Sequence, residues 1–189
     1  MKKCMIVFYS RRGENHYDGG LKFLKIGNTE RVAGIIAETL SCGSFRVERA
    51  VPYAEGYRAC CGEVVAEWKA GARPEIEGFC DDIMEADVIF VGYPIWCGTM
   101  PMPMYTFLEH YDLTGKTIVP FCTHEGSGHG NSLAEIARVC PGAVIAPALE
   151  VKGCQVEENA ERIAAWAREI FEKSRKFLKI MLAFSRSIC

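Results

Sequence analysis

Residues 88–101 read VIFVGYPIWCGTMP, and this stretch decides the fold. Its first four residues are apolar, which is typical of a strand covered on both faces. Glycine and proline then break the strand into a loop that carries Tyr93 and Trp96. Open α/β sheets bind ligands at the carboxyl ends of their strands. The two rings are therefore expected either to fold back onto the core or to stack on a planar ligand, and this stretch alone leaves both interpretations open.

Strands and helices alternate along the rest of the chain. Apolar or alternating runs predict four more strands, at residues 3–9, 45–51, 117–122 and 143–151. Apolar residues at helical spacing predict helices at residues 28–40, 57–70, 104–111 and 163–171, and a Ser-x-x-Glu capping box predicts another that starts at Ser132. Parallel strands need crossovers, and right-handed crossovers place helices on both faces of a sheet. The sequence thus predicts an α/β fold: a three-layer, doubly wound sandwich around a five-stranded parallel sheet.

Two segments lie outside this minimal pattern. Residues 11–26 are polar and contain glycine, so we expect an inserted loop between the first strand and the first helix. Residues 177–189 turn apolar after a basic patch, and this C-terminal extension is expected to pack on its own protein or on a second copy, which makes a dimer possible. No linker of low complexity interrupts the chain, so residues 1–189 are expected to form a single domain.

Composition limits the partners. A formal net charge of −2 over 189 residues supplies no basic field for nucleic acid, and the apolar stretches are too short to span a membrane. Ten cysteines without a Cys-x-x-Cys motif, behind an amino terminus that lacks a secretory signal, predict reduced thiols in a cytoplasmic protein. His124 and His129 are separated by glycines that preclude a zinc-binding helix, so no metal site is expected.

Polar residues at the ends of the first strand and the start of the first helix suggest an anion site. Ser10 and Arg11 end the strand, and residues 27–30 (Gly-Asn-Thr-Glu) open the helix, whose first N–H groups attract anions. The alternative is that Asn28 and Thr29 only cap the helix. The loop after Tyr93 and the glycine-rich loop at 123–128 reach the same sheet edge, which favours a ligand with an anionic group and a flat ring.

With these motifs the sequence resembles the flavodoxin family, in a branch that inserts a segment before the phosphate loop, and the resemblance covers residues 3–171. It implies the strand order 2-1-3-4-5 and one non-covalent FMN, with the phosphate on Ser10, Asn28 and Thr29 and the isoalloxazine between the other two loops. The resemblance assigns these residues to the cofactor: Ser10, Arg11, Gly27, Asn28, Thr29, Glu30, Pro94, Ile95, Trp96, Cys97, Gly98, Thr123, His124, Glu125, Gly126, Ser127 and Gly128. Arg11 is open to a second interpretation, in which it covers the inserted loop.

The resemblance implies electron transfer through FMN, with a redox partner protein or NAD(P)H as the other reactant. Flavodoxin carriers are usually strongly acidic, whereas this chain is nearly balanced in charge, which favours an NAD(P)H-dependent FMN or quinone reductase as the alternative. A third interpretation is an interaction module that kept the fold without the flavin, since a fold does not establish a function.

Overall fold

A parallel sheet with helices on both faces forms the centre of the protein. The computed structural model describes residues 3–186, with side chains through Arg175. The strands are β1 (Cys4–Phe8), β2 (Gly13–Tyr17), β3 (Gly20–Leu24), β4 (Gly43–Arg46), β5 (Val88–Pro94), β6 (Thr117–His124), β7 (Val144–Ile145) and β8 (Leu149–Lys152). The helices are α1 (Asn28–Leu40), α2 (Tyr57–Ala70), α3 (Met102–Leu108), α4 (Ser132–Val139) and α5 (Ala160–Arg186), with short 3-10 turns at Asp81–Glu85 and Gly153–Gln155.

The strand order of the main sheet confirms the predicted doubly wound topology. The sheet runs β4-β1-β5-β6, and β7 and β8 both pair with the outer edge of β6, all in parallel. Without the β2–β3 hairpin this is the order 2-1-3-4-5. The predicted fifth strand at 143–151 is divided in two, because Pro147 lies between β7 and β8 and has no N–H to donate to the ladder.

Two hydrophobic layers hold the helices to the sheet. On one face Ile6 and Phe90 pack against Ile36 of α1 and Ile163 of α5. On the other face the strands pack against α3 and α4, and residues such as Phe107 are fully buried there. Parallel strands that are buried on both faces need continuous apolar runs, which explains the apolar sequences of β1, β5 and β6. The carboxyl ends of these three strands therefore stay in one fixed register.

The inserted segment 11–26 is a β-hairpin and not the loop expected from its polarity. β2 and β3 pair antiparallel around a two-residue turn, in which Asp18 has a φ of 50° and Gly19 a φ of 81°. Two consecutive positive φ angles are the geometry of the tight hairpin turn that Asp-Gly favours. The hairpin stands at the carboxyl end of β1 and lies against α2.

Other boundaries differ from the sequence prediction. β4 ends at Arg46, and Val51, predicted to lie in this strand, is 69% exposed. α4 does not use the predicted capping box, since Asn131 is its N-cap residue and Ser132 is buried inside the first turn, where its hydroxyl meets that of Tyr93 at 3.0 Å. α5 continues to Arg186, and the predicted packing of the extension 177–189 lies outside the side chains that the structure describes. Within residues 3–186, each helix is too short or too polar to cross a bilayer.

Candidate functional site

A cavity of about 350 Å³ opens at the carboxyl ends of β1, β5 and β6. This volume lies within the range of roughly 300–1,000 Å³ that is usual for sites of small molecules. The cavity is lined by twelve of the predicted site residues: Ser10, Arg11, Asn28, Thr29, Pro94, Ile95, Trp96, Thr123, His124, Glu125, Gly126 and Ser127. Gly27, Glu30, Cys97, Gly98 and Gly128 belong to the same loops but do not line it. The topology thus brings the three predicted loops together.

The amino end of α1 forms one end of the cavity. Ser10 is buried, and its Oγ accepts a hydrogen bond from the Glu30 N–H at 3.1 Å, so a residue from the end of β1 caps the helix. Gly27 allows this approach, because a Cβ at that position would lie 2.2 Å from Ser10 Oγ and 2.5 Å from the Arg11 carbonyl oxygen. The N–H groups of Asn28 and Thr29 have no acceptor within the helix and remain for a ligand.

Asn28 and Thr29 place buried polar groups beside those N–H groups. Oδ1 of Asn28 is buried and lacks a hydrogen-bond partner among the described residues. The Thr29 hydroxyl lies 2.8 Å from the Thr123 hydroxyl, and both side chains are almost fully buried. A buried amide oxygen without a partner costs free energy unless a hydrogen-bond donor satisfies it, and the Nδ2 group of the same side chain can donate to a ligand oxygen. The α1 end of the cavity is therefore incomplete without a polar ligand.

Two charged residues of the predicted phosphate loop are engaged elsewhere. The Glu30 carboxylate accepts a hydrogen bond from Arg46 at 2.6 Å, outside the cavity lining. The guanidinium of Arg11 donates to the carbonyl oxygens of Glu14, Ala54 and Glu55, the last two at 3.0 and 2.6 Å. Arg11 thereby joins the hairpin to the segment before α2. This geometry matches the interpretation in which Arg11 holds the inserted segment.

Trp96, in the 94–98 loop, combines the two predicted alternatives: it packs on the core, and it also faces the cavity. Trp96 packs edge-on against Tyr9 and Tyr53, with ring centroids 5.4 and 5.5 Å apart, and it also lines the cavity. A tight turn holds it in place, because the Trp96 N–H donates to the Thr99 carbonyl at 2.8 Å. Edge-on neighbours fix the orientation of a ring, so Trp96 is a rigid apolar wall of the cavity.

The turn after Trp96 explains why Cys97 and Gly98 do not line the cavity. Both have positive φ angles, 49° and 75°, which turn the chain back toward Thr99. The Gly98 carbonyl accepts a hydrogen bond at 2.7 Å from the N–H of Asn131, at the start of α4. Cys97 and Gly98 therefore connect this loop to the next one.

Hydrogen bonds of His124, Glu125 and Gly126 hold the first part of the 123–128 loop. His124 Nδ1 accepts a hydrogen bond from the Gly126 N–H at 2.9 Å. The Glu125 carboxylate accepts from the N–H groups of Asp18 in the hairpin turn and Cys154 in the Gly153–Gln155 turn, at 3.2 and 3.1 Å. Ser127 is exposed. Glu125 thus ties three segments of the cavity rim together.

Five further residues line the cavity without having been predicted: Asn15, His16, Leu24, Tyr57 and Gly153. The hairpin contributes the first three, and the turn signal Asp18-Gly19 could have identified it. Gly153 allows close packing, since a Cβ there would lie 2.3 Å from Asn28 Nδ2 and 2.5 Å from Glu125 Oε1. No local signal marks Tyr57 or Gly153, because their place in the site arises from long-range packing.

The donor set fits a phosphorylated cofactor with a flat ring. The α1 end offers the N–H groups of Asn28 and Thr29 and the hydroxyls of Ser10 and Thr29, which together suit a phosphate. Ile95 and Trp96 face the loop of Gly126, where a φ of 142° requires glycine and leaves room for a ring. Fold and site together define a doubly wound α/β protein with a cavity whose lining suits a planar, anionic ligand.

A family model described as "Flavodoxin" matches residues 21–170, which is most of the chain. The chain therefore belongs to the flavodoxin family. None of the curated proteins compared with it matches.

Several solved structures are similar over nearly their whole length. A Bacteroides eggerthii DSM 20697 protein, provisionally described as a flavoprotein, is 25% identical with a TM-score of 0.71, over 90% of this chain and 98% of that one. A flavoprotein in complex with FMN from Lactobacillus acidophilus NCFM is 18% identical with a TM-score of 0.59, over 84% and 98%. The flavodoxin of Streptococcus pneumoniae TIGR4 is 21% identical with a TM-score of 0.53, over 90% and 98%. The last two likenesses concern the fold.

Proposed function

We propose that this protein binds one FMN in the cavity at the ends of β1, β5 and β6 and acts in electron transfer. The observation that carries the proposal is the start of α1 at the cavity, where the N–H groups of Asn28 and Thr29 have no acceptor within the helix and lie beside the hydroxyls of Ser10 and Thr29. Family membership and a structural neighbour described as an FMN complex support the same cofactor.

In this proposal the residues divide into two groups. Ser10, Asn28 and Thr29 hold the phosphate with the N–H groups of the first helical turn, and each hydrogen bond to a charged oxygen contributes about 1.5–3 kcal/mol. Ile95 and Trp96 form one wall for the ring, and the 123–128 loop forms the other. When bound, FMN supplies the redox chemistry, while the chain orients the ring and excludes water from it.

Equilibrium titration with FMN and riboflavin tests the proposal. We expect one FMN per chain and clearly weaker binding of riboflavin, which has the same ring without the phosphate. A purified protein that is colourless and leaves the fluorescence of added FMN unchanged would contradict it and would support the interpretation of a flavin-free interaction module.

A reductase is the second candidate, and the near-balanced charge of the chain favours it, because acidic carriers use their charge to reach basic partners. Mixing the FMN-loaded protein with NADPH separates the two candidates. Prompt loss of NADPH absorbance without a second protein indicates a reductase, and no reaction indicates a carrier that needs a partner protein. For either one we propose a single-domain protein of the cytoplasm, where its cysteines stay reduced.

A further inference from the structure

The amino ends of β1 and β4 bring two cysteines to neighbouring positions. Met5 of β1 pairs with Gly43 of β4 in the parallel ladder, so the residues one position earlier, Cys4 and Cys42, lie side by side. Neighbouring strands are about 4.8 Å apart, and a disulfide usually needs Cα atoms about 4.4–6.8 Å apart. The spacing of the two strands therefore suits a covalent link between these cysteines.

Both thiols also lie on the same side of the sheet. Cys4 and Cys42 pack against the hydrophobic layer that contains Ile6 and Ile36. Just beyond the end of α1, the Cys42 N–H donates to the Ala37 carbonyl at 3.2 Å. Because Cys4 belongs to β1, the backbones of both cysteines are fixed before any bond forms between their sulfur atoms.

A cavity of about 550 Å³ gives access to this pair from solvent. It lies at the opposite end of the sheet from the candidate FMN cavity, and Cys4 and Cys42 are the cysteines among its lining residues. Both cysteines are partly exposed. The volume is in the range of roughly 300–1,000 Å³ that is usual for sites of small molecules, so a small disulfide can reach the two sulfur atoms.

The two thiols differ in acidity. A hydrogen bond from the Cys42 thiol lowers the pKa of Cys4, and the same contact raises the pKa of Cys42. The thiolate is the form of cysteine that attacks a disulfide. The environment therefore favours Cys4 as the attacking group. Burial raises the pKa of Cys60, Cys122 and Cys140 instead, which makes these three thiols less reactive.

We propose that Cys4 and Cys42 form a reversible redox modification site that reacts with small disulfides. The Cys4 thiolate attacks one sulfur atom of the small disulfide and forms a mixed disulfide, and one small thiol leaves. Cys42 then loses its proton and attacks the Cys4 sulfur, which releases the second small thiol. Overall the protein gives up two electrons and two protons as the Cys4–Cys42 disulfide forms, and the small disulfide gains them.

The disulfide ties the short edge strand β4 to β1. It closes a loop over residues 4–42, which contains the hairpin and all of α1. A crosslink of this kind restricts the unfolded chain. We therefore expect the oxidised protein to unfold at a higher urea concentration than the reduced protein, while in a reducing compartment the resting state is the dithiol.

Mass spectrometry after treatment with an excess of glutathione disulfide tests the proposal on the folded full chain. Free thiols are alkylated, and trypsin then releases Cys4 in the peptide 4–11 and Cys42 in the peptide 32–46, each of which contains one cysteine. We expect a link between these two peptides as the most abundant crosslink in monomeric chains. The urea midpoint of the treated protein should rise with the yield of this crosslink.

Two variants test the order of the steps. Cys42→Ser should stop at the mixed disulfide, with glutathione on Cys4, because the serine hydroxyl can still donate to Cys4 but cannot displace glutathione. Cys4→Ser should leave Cys42 largely unmodified, since burial still raises the pKa of Cys42 when the Cys4 thiol is gone. Both variants should lose the rise in urea midpoint. Cys61→Ser is the matched control, because Cys61 is partly exposed but does not line this cavity, and it should form the crosslink as the parent does.

Three results would overturn the proposal. The first is a parent without the crosslink between peptides 4–11 and 32–46, or with that crosslink only between two chains. The second is glutathione on Cys42 of Cys4→Ser at the rate found on Cys4 of Cys42→Ser. The third is the same choice of cysteine pair in urea, where the sheet is absent and the disulfides should be spread over many pairs. None of these measurements needs flavin, so failure of the FMN assignment leaves them unchanged.

Discussion

Ser10 has two roles at the residue scale. Its Oγ caps α1 by accepting from the Glu30 N–H at 3.1 Å, although it lies in sequence well before the helix. Because the cap comes from outside the helix, position 27 can be glycine. Its lack of a Cβ lets Ser10 and the backbone of Arg11 pack directly against the start of α1. The N–H groups of Asn28 and Thr29 remain free for an anion as a consequence.

The Thr29 hydroxyl gives the most selective test of the phosphate position. Thr29→Val removes one donor and leaves the Thr123 hydroxyl without its partner at 2.8 Å. The loss of one hydrogen bond to a charged oxygen, about 1.5–3 kcal/mol, should weaken FMN roughly 10- to 100-fold. Riboflavin has no phosphate, so its affinity should fall much less. Quenching of flavin fluorescence measures both affinities.

Thr117→Val is the matched control for this variant. Like Thr29, Thr117 is buried, and its hydroxyl has no hydrogen-bond partner among the described residues. It begins β6 at the end of the strand away from the cavity. We expect unchanged FMN affinity. An equal loss of FMN and riboflavin in Thr29→Val would argue that the residue supports the fold of the loop and not the phosphate.

Cys122 predicts how stability depends on pH. Its side chain is fully buried on β6, and burial raises its pKa from 9.0 to about 12. The unfolded chain therefore releases this proton near pH 9 while the folded protein still holds it, so the free energy of unfolding falls as pH rises from about 9 to 12. For one such group the loss is about 1.4 kcal/mol per pH unit.

Urea unfolding of Cys122→Ser at several pH values checks this prediction. Serine does not ionise in this range, so between pH 9 and 11 the variant should lose less stability per pH unit than the parent, by up to about 1.4 kcal/mol. The variant is compared with itself at pH 7, which removes any constant cost of the substitution. Parallel curves for the two proteins would contradict the prediction, because they would show that the thiol has the same pKa in the folded and the unfolded state.

At the scale of elements, the hairpin of β2 and β3 most changes the site. It supplies Asn15, His16 and Leu24 to the cavity, and its turn is tied to Glu125 through the Asp18 N–H. The composition of this segment resembles that of a polar loop, because its apolar residues, such as Leu21 and Phe23, are scattered and exposed. Only the Asp-Gly turn signal distinguishes the hairpin from a loop.

Arg11 is the residue that anchors this hairpin, and its removal should loosen the element without unfolding the sheet. Arg11→Gln breaks hydrogen bonds to the carbonyls of Glu14, Ala54 and Glu55. Trypsin should then cleave the hairpin, at Lys22 or Lys25, about ten times faster, since cleavage follows the population of the locally open form. Mass spectrometry of the early fragments gives the rate.

Arg12→Gln is the control for charge, because Arg12 is the exposed neighbour of Arg11. It should leave the cleavage rate of the hairpin unchanged. If both variants, or neither, accelerate cleavage at Lys22 and Lys25, then the three carbonyl contacts of Arg11 do not hold the hairpin in place.

At the scale of the whole molecule, the sheet and its layers could be predicted because apolar pattern and topology determine them. The bounds of α1 and α2 agree with the sequence prediction, since each has helical spacing over its full length. The fifth strand was predicted as one continuous strand because its apolar residues run through Pro147, which has no N–H to donate and divides it into β7 and β8. α5 was predicted to end at residue 171 because the charged and polar residues 172–176 interrupt its apolar spacing.

The site could be predicted as far as the sheet positions it. Three loops at neighbouring strand ends must converge, and residues such as Ser10, Trp96 and Thr123 follow from that rule. The task of Glu30 could not be predicted, and the choice between the two interpretations of Arg11 stayed open, because the partners of both residues become known only from the folded chain. Arg46, which holds Glu30, and the carbonyls that hold Arg11 become visible only in the folded chain.

A crystal structure of the protein grown with FMN tests the central claim most directly. The account predicts the phosphate within hydrogen-bond distance of the Thr29 hydroxyl and the N–H groups that open α1, with the ring between Trp96 and the loop at Gly126. Density for FMN at another surface, or only water in the cavity at saturating FMN, would contradict it.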